Sequence, residues 1–101
     1  MALKSFFSNE DNVLTIRING SFDFNLHREF REAYKSQEKA ARNYIVDLEG
    51  TEYMDSSALG MLLLLREFAG GDSAQIKIIN TNSEIKKIFE ISNFHRLFSI
   101  V

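Results

Sequence analysis

Two hydrophobic rhythms alternate along the chain. Leu14, Ile16 and Ile18 alternate with Thr15 and Arg17, and Val13, Ile16 and Ile18 are β-branched, so residues 13–18 read as a strand with one buried face. The short run Ser5 to Ser8 precedes it. The polar stretch Asn9-Glu10-Asp11-Asn12 between them is a turn signal, and the pair predicts an N-terminal β-hairpin whose second strand ends at Gly20. The period then lengthens. Leu26, Phe30, Ala33, Tyr34 and Gln37 fall at i, i+4, i+7, i+8 and i+11, one helical stripe with a polar last member, capped by Asp23 or Asn25. Arg28, Glu29, Arg31, Glu32 and Lys35 take the other face, which reads as solvated. Arg28–Glu32 is a favourable i,i+4 pair and Arg31–Lys35 a repulsive one. His27, beside the stripe, reads as a surface or packing histidine.

Residues 39–43 link this helix to a strand from Tyr44 to Leu48. The next stretch, Tyr53-Met54-Asp55-Ser56-Ser57-Ala58-Leu59-Gly60, places an acid and two hydroxyls between that strand and a helix over residues 57–68. Asp and Ser are good caps, because a short side-chain oxygen accepts a hydrogen bond from an unpaired backbone N–H. Ser56 and Ser57 thus stand at a helix mouth, where free N–H groups and the positive end of the macrodipole tolerate a phosphate. Capping alone also accounts for two serines there. The following run, Met61 to Leu65, is apolar on every side. Either it forms a wide core-facing stripe with one or two exposed leucines, or part of it is a contact surface for a partner.

Gly70-Gly71-Asp72 ends that helix through a left-handed glycine. A strand follows over residues 75–79, and Asn80-Thr81-Asn82-Ser83 caps a helix over 84–92 with Ile85, Ile88, Phe89 and Ser92 on one face. Asn93 is a left-handed terminator, and residues 97–101 add an edge strand. The order β-β-α-β-α-β-α-β predicts an α/β domain with a mixed, mostly parallel sheet of four to five strands and three to four helices. Loops at the carboxyl ends of parallel strands form binding rims. If the strands run parallel, the Phe22-Asp23-Phe24, Asp55-Ser56-Ser57 and Asn80-Thr81-Asn82 segments share one rim around Ser56.

Composition narrows the chemistry. The chain has 101 residues, the size of a single domain, taken here as residues 1–101. A net charge of −2 without a Lys/Arg-rich run argues against nucleic-acid binding. With no cysteine and two histidines far apart, neither a disulfide framework nor a zinc site is expected, and no metal or cofactor is assigned. The first seven residues carry no signal-peptide pattern, and no apolar run approaches the ~20 residues of a membrane span. The expected location is the cytoplasm, without membrane contact. An enzyme using Ser56 with His27 or His95 is disfavoured. The G-x-S-x-G elbow and the G-x-x-x-x-G-K-[ST] phosphate loop are both absent, and Asp55 beside Ser56 cannot replace a base oriented by a third group.

Val46-Asp47-Leu48 followed by Met54-Asp55-Ser56-Ser57-Ala58-Leu59-Gly60 resembles the signature of the STAS domain as found in anti-sigma factor antagonists, roughly D-S-[ST]-[GA]-L-G after a buried strand. Gly20-Ser21-Phe22-Asp23 resembles the family's G-x-[LF]-D segment. Ile85-Lys86-Lys87-Ile88-Phe89-Glu90-Ile91 through Leu97-Phe98 resembles its closing helix and segment. Ala58 stands where many members carry Gly. The resemblance implies that Ser56, or alternatively Ser57, accepts a phosphate. It implies a partner-binding surface drawn from Asp23, Asp55, Ser57, Ala58, Leu59, Met61 and Leu62. The implied partners are an anti-sigma factor, or a serine kinase and PP2C-type phosphatase regulator, bound by the unphosphorylated chain. Such a module, monomeric when free, serves sigma-factor, motility or biofilm circuits. The alternative within the family is a constitutive subunit bracing the ATPase of a lipid ABC transporter, which needs no acceptor serine.

Overall fold

The computed structural model describes residues 2–36 and 41–101. The hairpin forms as the alternation predicts: β1 (Leu3–Ser8) and β2 (Val13–Ile18) pair antiparallel from Leu3↔Ile18 to Ser8↔Val13. Asn12, at φ 57, supplies the left-handed residue that closes the turn. The remaining elements are β3 (Gly20–Phe22), α1 (His27–Lys35), β4 (Asn43–Asp47), β5 (Thr51–Met54), α2 (Ser56–Phe68), β6 (Ile76–Ile79), α3 (Ser83–Ile91) and β7 (Ser99–Ile100). Short 3-10 turns occupy Phe24–Leu26, Gly71–Ser73 and Phe94–Arg96. The main sheet runs β1-β2-β4-β6-β7, and every pair after the first is parallel. This is the mixed, mostly parallel five-stranded sheet with three helices that the pattern predicts.

Two elements differ from expectation. The second strand ends at Ile18; Gly20, at φ +83, instead opens a separate strand. Residues 51–54, expected as loop, form β5, which pairs parallel with β3 in a small sheet of its own. No alternation marks β5, because its burial runs buried, exposed, exposed, buried. It is held from outside its own sequence. The Thr51 hydroxyl, buried, donates to the Ile18 carbonyl at 2.8 Å, and the Gly20 N–H donates to the Gly50 carbonyl at 2.8 Å.

Leu14, Ile16 and Ile18 of β2, Tyr44 and Val46 of β4, and Ile76 and Ile78 of β6 share one buried face. They join the inner sides of all three helices in a single core: Phe30, Ala33 and Tyr34 of α1, Ala58, Met61, Leu62 and Leu65 of α2, and Ile85 and Phe89 of α3. The opposite face carries Thr15, Arg17, Ile45 and Lys77 and stays open, as one face of a small antiparallel-edged sheet can. Gln37 of the predicted stripe and residues 39–40 of the predicted link lie outside the described residues. The α2 run divides as a stripe. Met61, Leu62 and Leu65 are buried, while Leu63 and Leu64 are exposed, Leu64 at 61%. Gly70, left-handed at φ 117, ends the helix, and Asn93 at φ 62 ends α3. Among the described residues no helix is long and apolar enough to cross a membrane.

This division sets a test. Leu62→Ala empties a fully buried position and should cost about 2–5 kcal/mol in urea unfolding. Leu64→Ala should change stability by less than about 0.5 kcal/mol. Equal costs for the two substitutions would mean that the helix is rotated from the position described.

Candidate functional site

The β3–β5 pair builds the site. Its register places Phe22 opposite Met54, so the segments that follow both strands start side by side, and the Asp55 N–H donates to the Phe22 carbonyl at 3.3 Å. Asp23 and Asp55 are therefore neighbours at two parallel strand ends. Each turns its chain into helical structure. The Asp23 carboxylate accepts from the Asn25 N–H at 3.0 Å and caps the 3-10 turn leading to α1. Asp55 caps α2, accepting from the Ser57 N–H at 3.0 Å and the Ala58 N–H at 3.2 Å.

The two serines are thereby distinguished. Both were candidate caps from sequence, but Asp55 is the cap and Ser56 the first helical residue. The Ser57 hydroxyl donates to the same Asp55 oxygen. It is committed inside the molecule, whereas the Ser56 side chain is exposed. These bonds hold the Asp55 carboxyl below its usual range. The Ser57 hydroxyl contributes most; desolvation opposes it, and the N–H groups of Ala58, Ser57 and Phe24 reinforce it.

Of the remaining residues assigned to the partner surface, Leu59 is half-buried. Ala58, Met61 and Leu62 are buried, and this corrects their assignment: their side chains belong to the core beneath the surface. The surface instead exposes residues absent from that assignment, among them Phe24 of the expected rim and Leu64 of the apolar run. Phe24, 63% exposed, stacks on His27 with ring centroids 4.5 Å apart. Tyr53 is exposed two residues before Asp55, and Gly60 and Leu64 follow on α2. The sequence places Phe24 in an expected rim segment, and the one signal of its exposure is that it is an aromatic out of phase with the α1 stripe, between two cap residues.

The third loop joins the assembly elsewhere. Asn82 caps α3, accepting from the Ile85 N–H at 2.8 Å, and donates to the Thr51 carbonyl at 3.3 Å, at the opposite end of β5 from Asp55. Asn80 donates to Asp47 at 3.0 Å. Burial pushes the Asp47 carboxyl up, but hydrogen bonds from Asn80, the Glu49 N–H and Arg17, with the Arg17 charge, outweigh it and leave the pKa lowered. Two of the three predicted loops thus meet at Ser56, and the third braces β5. His27 Nδ1 lies 3.1 Å from the Phe24 carbonyl, and His95 lines a groove with Lys86, Phe89, Glu90 and Ile100. Among the described residues no cluster of His, Asp and Glu could hold a metal ion.

The sequence profile of the STAS domain matches residues 8–101. The chain belongs to the STAS family. A STAS-domain containing protein of Pseudomonas aeruginosa (strain UCBPP-PA14) is 51% identical over 100 residues, covering 99% of each chain. Among solved structures, the STAS fold here superposes on the anti-sigma factor antagonist SpoIIAA in its unphosphorylated form with a TM-score of 0.77 and 18% identity. That match covers 99% of this chain and 87% of the other. SpoIIAA in its phosphorylated form, from Bacillus, gives a TM-score of 0.70 at 18% identity over 99% of this chain and 91% of that one. A sulfate transporter family protein from Wolinella succinogenes gives a TM-score of 0.74 at 14% identity, covering 95% of this chain and 82% of that one. The STAS fold therefore occurs both in regulators and in transporter-family proteins.

The lowered Asp55 pKa has a sign. A carboxylate with a depressed folded-state pKa stabilises fully above its unfolded value, near 3.8 here, and loses that contribution as pH falls through the folded value. Asp55→Asn keeps an oxygen for the cap but cannot titrate. Its melting temperature should fall less steeply than wild type below about pH 4, measured by circular dichroism. Asp47 remains to titrate in both proteins, so only the difference between the two curves reports Asp55.

Proposed function

We propose that this STAS domain is a phosphorylation-gated binding module of the anti-sigma factor antagonist type, acting in the cytoplasm by association rather than by catalysis. The unphosphorylated form binds an anti-sigma factor or a serine-kinase regulator, and a phosphate on Ser56 blocks that binding. A PP2C-type phosphatase reverses it. The observation that carries this reading is the exposed Ser56 hydroxyl beside a Ser57 hydroxyl already bonded to Asp55.

The electrostatics support a switch acting on the interface and not on the fold. A phosphoserine brings about −1.5 to −2 charges. Neither residues 19–27 nor residues 48–65 contain a Lys or Arg, so the loops that build the site offer no cation to neutralise it. Asp23 and Asp55 stand beside it. The first-turn N–H groups that commonly receive an anion are already engaged by Asp55, so helix capping offsets little of the new charge. A partner fitted to a neutral hydroxyl would have to bury that charge unmatched.

The second reading is a constitutive STAS subunit of a transporter complex, favoured by the fold's occurrence in a sulfate transporter family protein. Intact mass of the protein from its native host, with and without phosphatase, separates the two: a phosphatase-sensitive increment of one phosphate supports the switch.

Two variants test the acceptor. Ser56→Ala should abolish phosphorylation by the cognate kinase, whereas Ser57→Ala should reduce it at most. Complete loss in Ser57→Ala alone would move the acceptor by one residue. Ser56→Asp should weaken binding roughly tenfold or more by calorimetric titration, with Ser56→Ala near wild type. Because Asp55 already occupies the helix mouth, the Ser56→Asp melting temperature should stay unchanged or fall slightly. Equal affinities for Ser56→Asp and Ser56→Ala would favour the constitutive subunit.

A further inference from the structure

We propose that the outer side of α2 from Gly60 to Phe68, with the adjoining side of α1, docks an amphipathic helix of the partner protein, acidic along the edge that meets α1. This rests on the binding function proposed above and extends the contact from the serine along the whole helix.

Gly60 is the first observation. It lies inside α2, on its exposed side, with no left-handed φ, and a Cβ built on it would meet nothing within 4 Å. Glycine in a helix interior is roughly 0.8–1 kcal/mol less favourable than alanine. The free protein thus carries a destabilising residue that neither its backbone geometry nor its own packing requires. A glycine on an exposed helix side lets a second backbone approach closely.

The second observation is the row that Gly60 begins. Ser56, Gly60, Leu64 and Phe68 stand at successive i+4 positions, a ridge about 18 Å long. Leu64 and Phe68 on it are large exposed hydrophobics. Beside Leu64 lies a dimple of about 50 Å³, bounded by Phe30, Tyr34 and Met61 below and by His27 and Arg31 on the α1 side. It has room for one apolar tip. A two-helix face with a ridge, a notch at a glycine and a dimple matches the packing needs of a third helix.

Charge supplies the third observation and fixes the occupant's polarity. Helical spacing places Arg31 and Lys35 on the α2-facing side of α1, one turn apart, a like-charge pair that destabilises an isolated helix. Among the described residues the ion pairs are Arg17–Asp47 and Arg66–Asp72, and neither involves these two cations. Glu29 lies on the far side of α1. A helix with Asp or Glu along its near edge would relieve the repulsion. A second copy of α2 would bring only Glu67, beside Arg66, and so matches this pair poorly.

The test uses the purified host anti-sigma factor or serine-kinase regulator that binds the wild-type chain. Gly60→Ala should raise the melting temperature yet weaken binding, and Gly60→Leu should weaken it at least tenfold. Opposite signs for stability and affinity are a result that a merely structural glycine would not give. Leu64→Ser and Arg31→Glu should each weaken binding several-fold or more with melting temperatures near wild type. A photo-crosslinking residue at position 64 should capture a peptide of the regulator with helical spacing of apolar residues and an acidic edge. The same residue at position 77, on the open sheet face, should not. If Ser56→Asp weakens binding while the Gly60, Leu64 and Arg31 variants bind as wild type, this inference fails and the switch stands. If all of them, Ser56→Asp included, bind as wild type, both fail, as they do if no such regulator binds the wild-type chain. Self-association of the chain that Leu64→Ser abolishes would place a second copy on this face and overturn the proposal.

Discussion

The burial of α2 on one face of the sheet is the constraint on which the rest depends. Leu62 and Leu65 have no exposed surface, and they share a core with Leu14, Ile16, Ile18, Val46 and Ile78. A domain of this size has little interior, so one sheet face receives all three helices and the other remains open. For the same reason α2 cannot be enclosed. Its inner half holds the fold together, and its outer half, from Ser56 to Phe68, is left to solvent or to another protein. Burial and exposure are thus separated by the helical period within a single element.

The acid at the head of α2 makes a similar separation at atomic scale. One Asp55 oxygen gathers two backbone N–H groups and the Ser57 hydroxyl. It fixes where the helix starts, ties it to the end of β3 through its own N–H, and leaves a single hydroxyl of the pair unengaged. The two adjacent serines are therefore unequal before anything meets them: Ser56 is exposed, and the Ser57 hydroxyl is bonded to Asp55. The chain has already withdrawn one of them.

Much of this was legible in the sequence, because much of it follows from periodicity. The alternation of Leu14, Ile16 and Ile18, the α1 stripe from Leu26 to Tyr34, and the left-handed Gly70 and Asn93 each have a local signal and formed as expected. The capping chemistry of Asp55-Ser56-Ser57 ahead of an apolar run placed the two serines at the start of a helix. What stayed hidden has no local signal. β5 is made by a hydroxyl reaching Ile18, 33 residues away, and by pairing with a three-residue strand. The run Met61 to Leu65 is uniformly apolar, so only the packing of α1 and the sheet against it decides that Leu64 faces out while Met61 and Leu62 face in. Which oxygen caps α2 was equally undetermined, since Asp55, Ser56 and Ser57 all have the chemistry for it.

The β3–β5 pair has a kinetic consequence. The β1–β2 hairpin joins residues close in sequence and closes a short loop. β3 and β5 lie about 30 residues apart, and their parallel pairing needs α1 and β4 to be traversed first; non-local pairings of this kind form slowly because the loop entropy is lost before the contact is gained. With few residues in each strand, the pair also has little of its own to resist opening. The peptide hydrogens of residues 20–22 and 51–54 should therefore exchange with solvent through smaller openings than those of β2 and β4, in the manner of a separate cooperative unit. Ser56 stands two residues beyond the end of this short pair, so any contact that holds the start of α2 also holds β3 and β5 together.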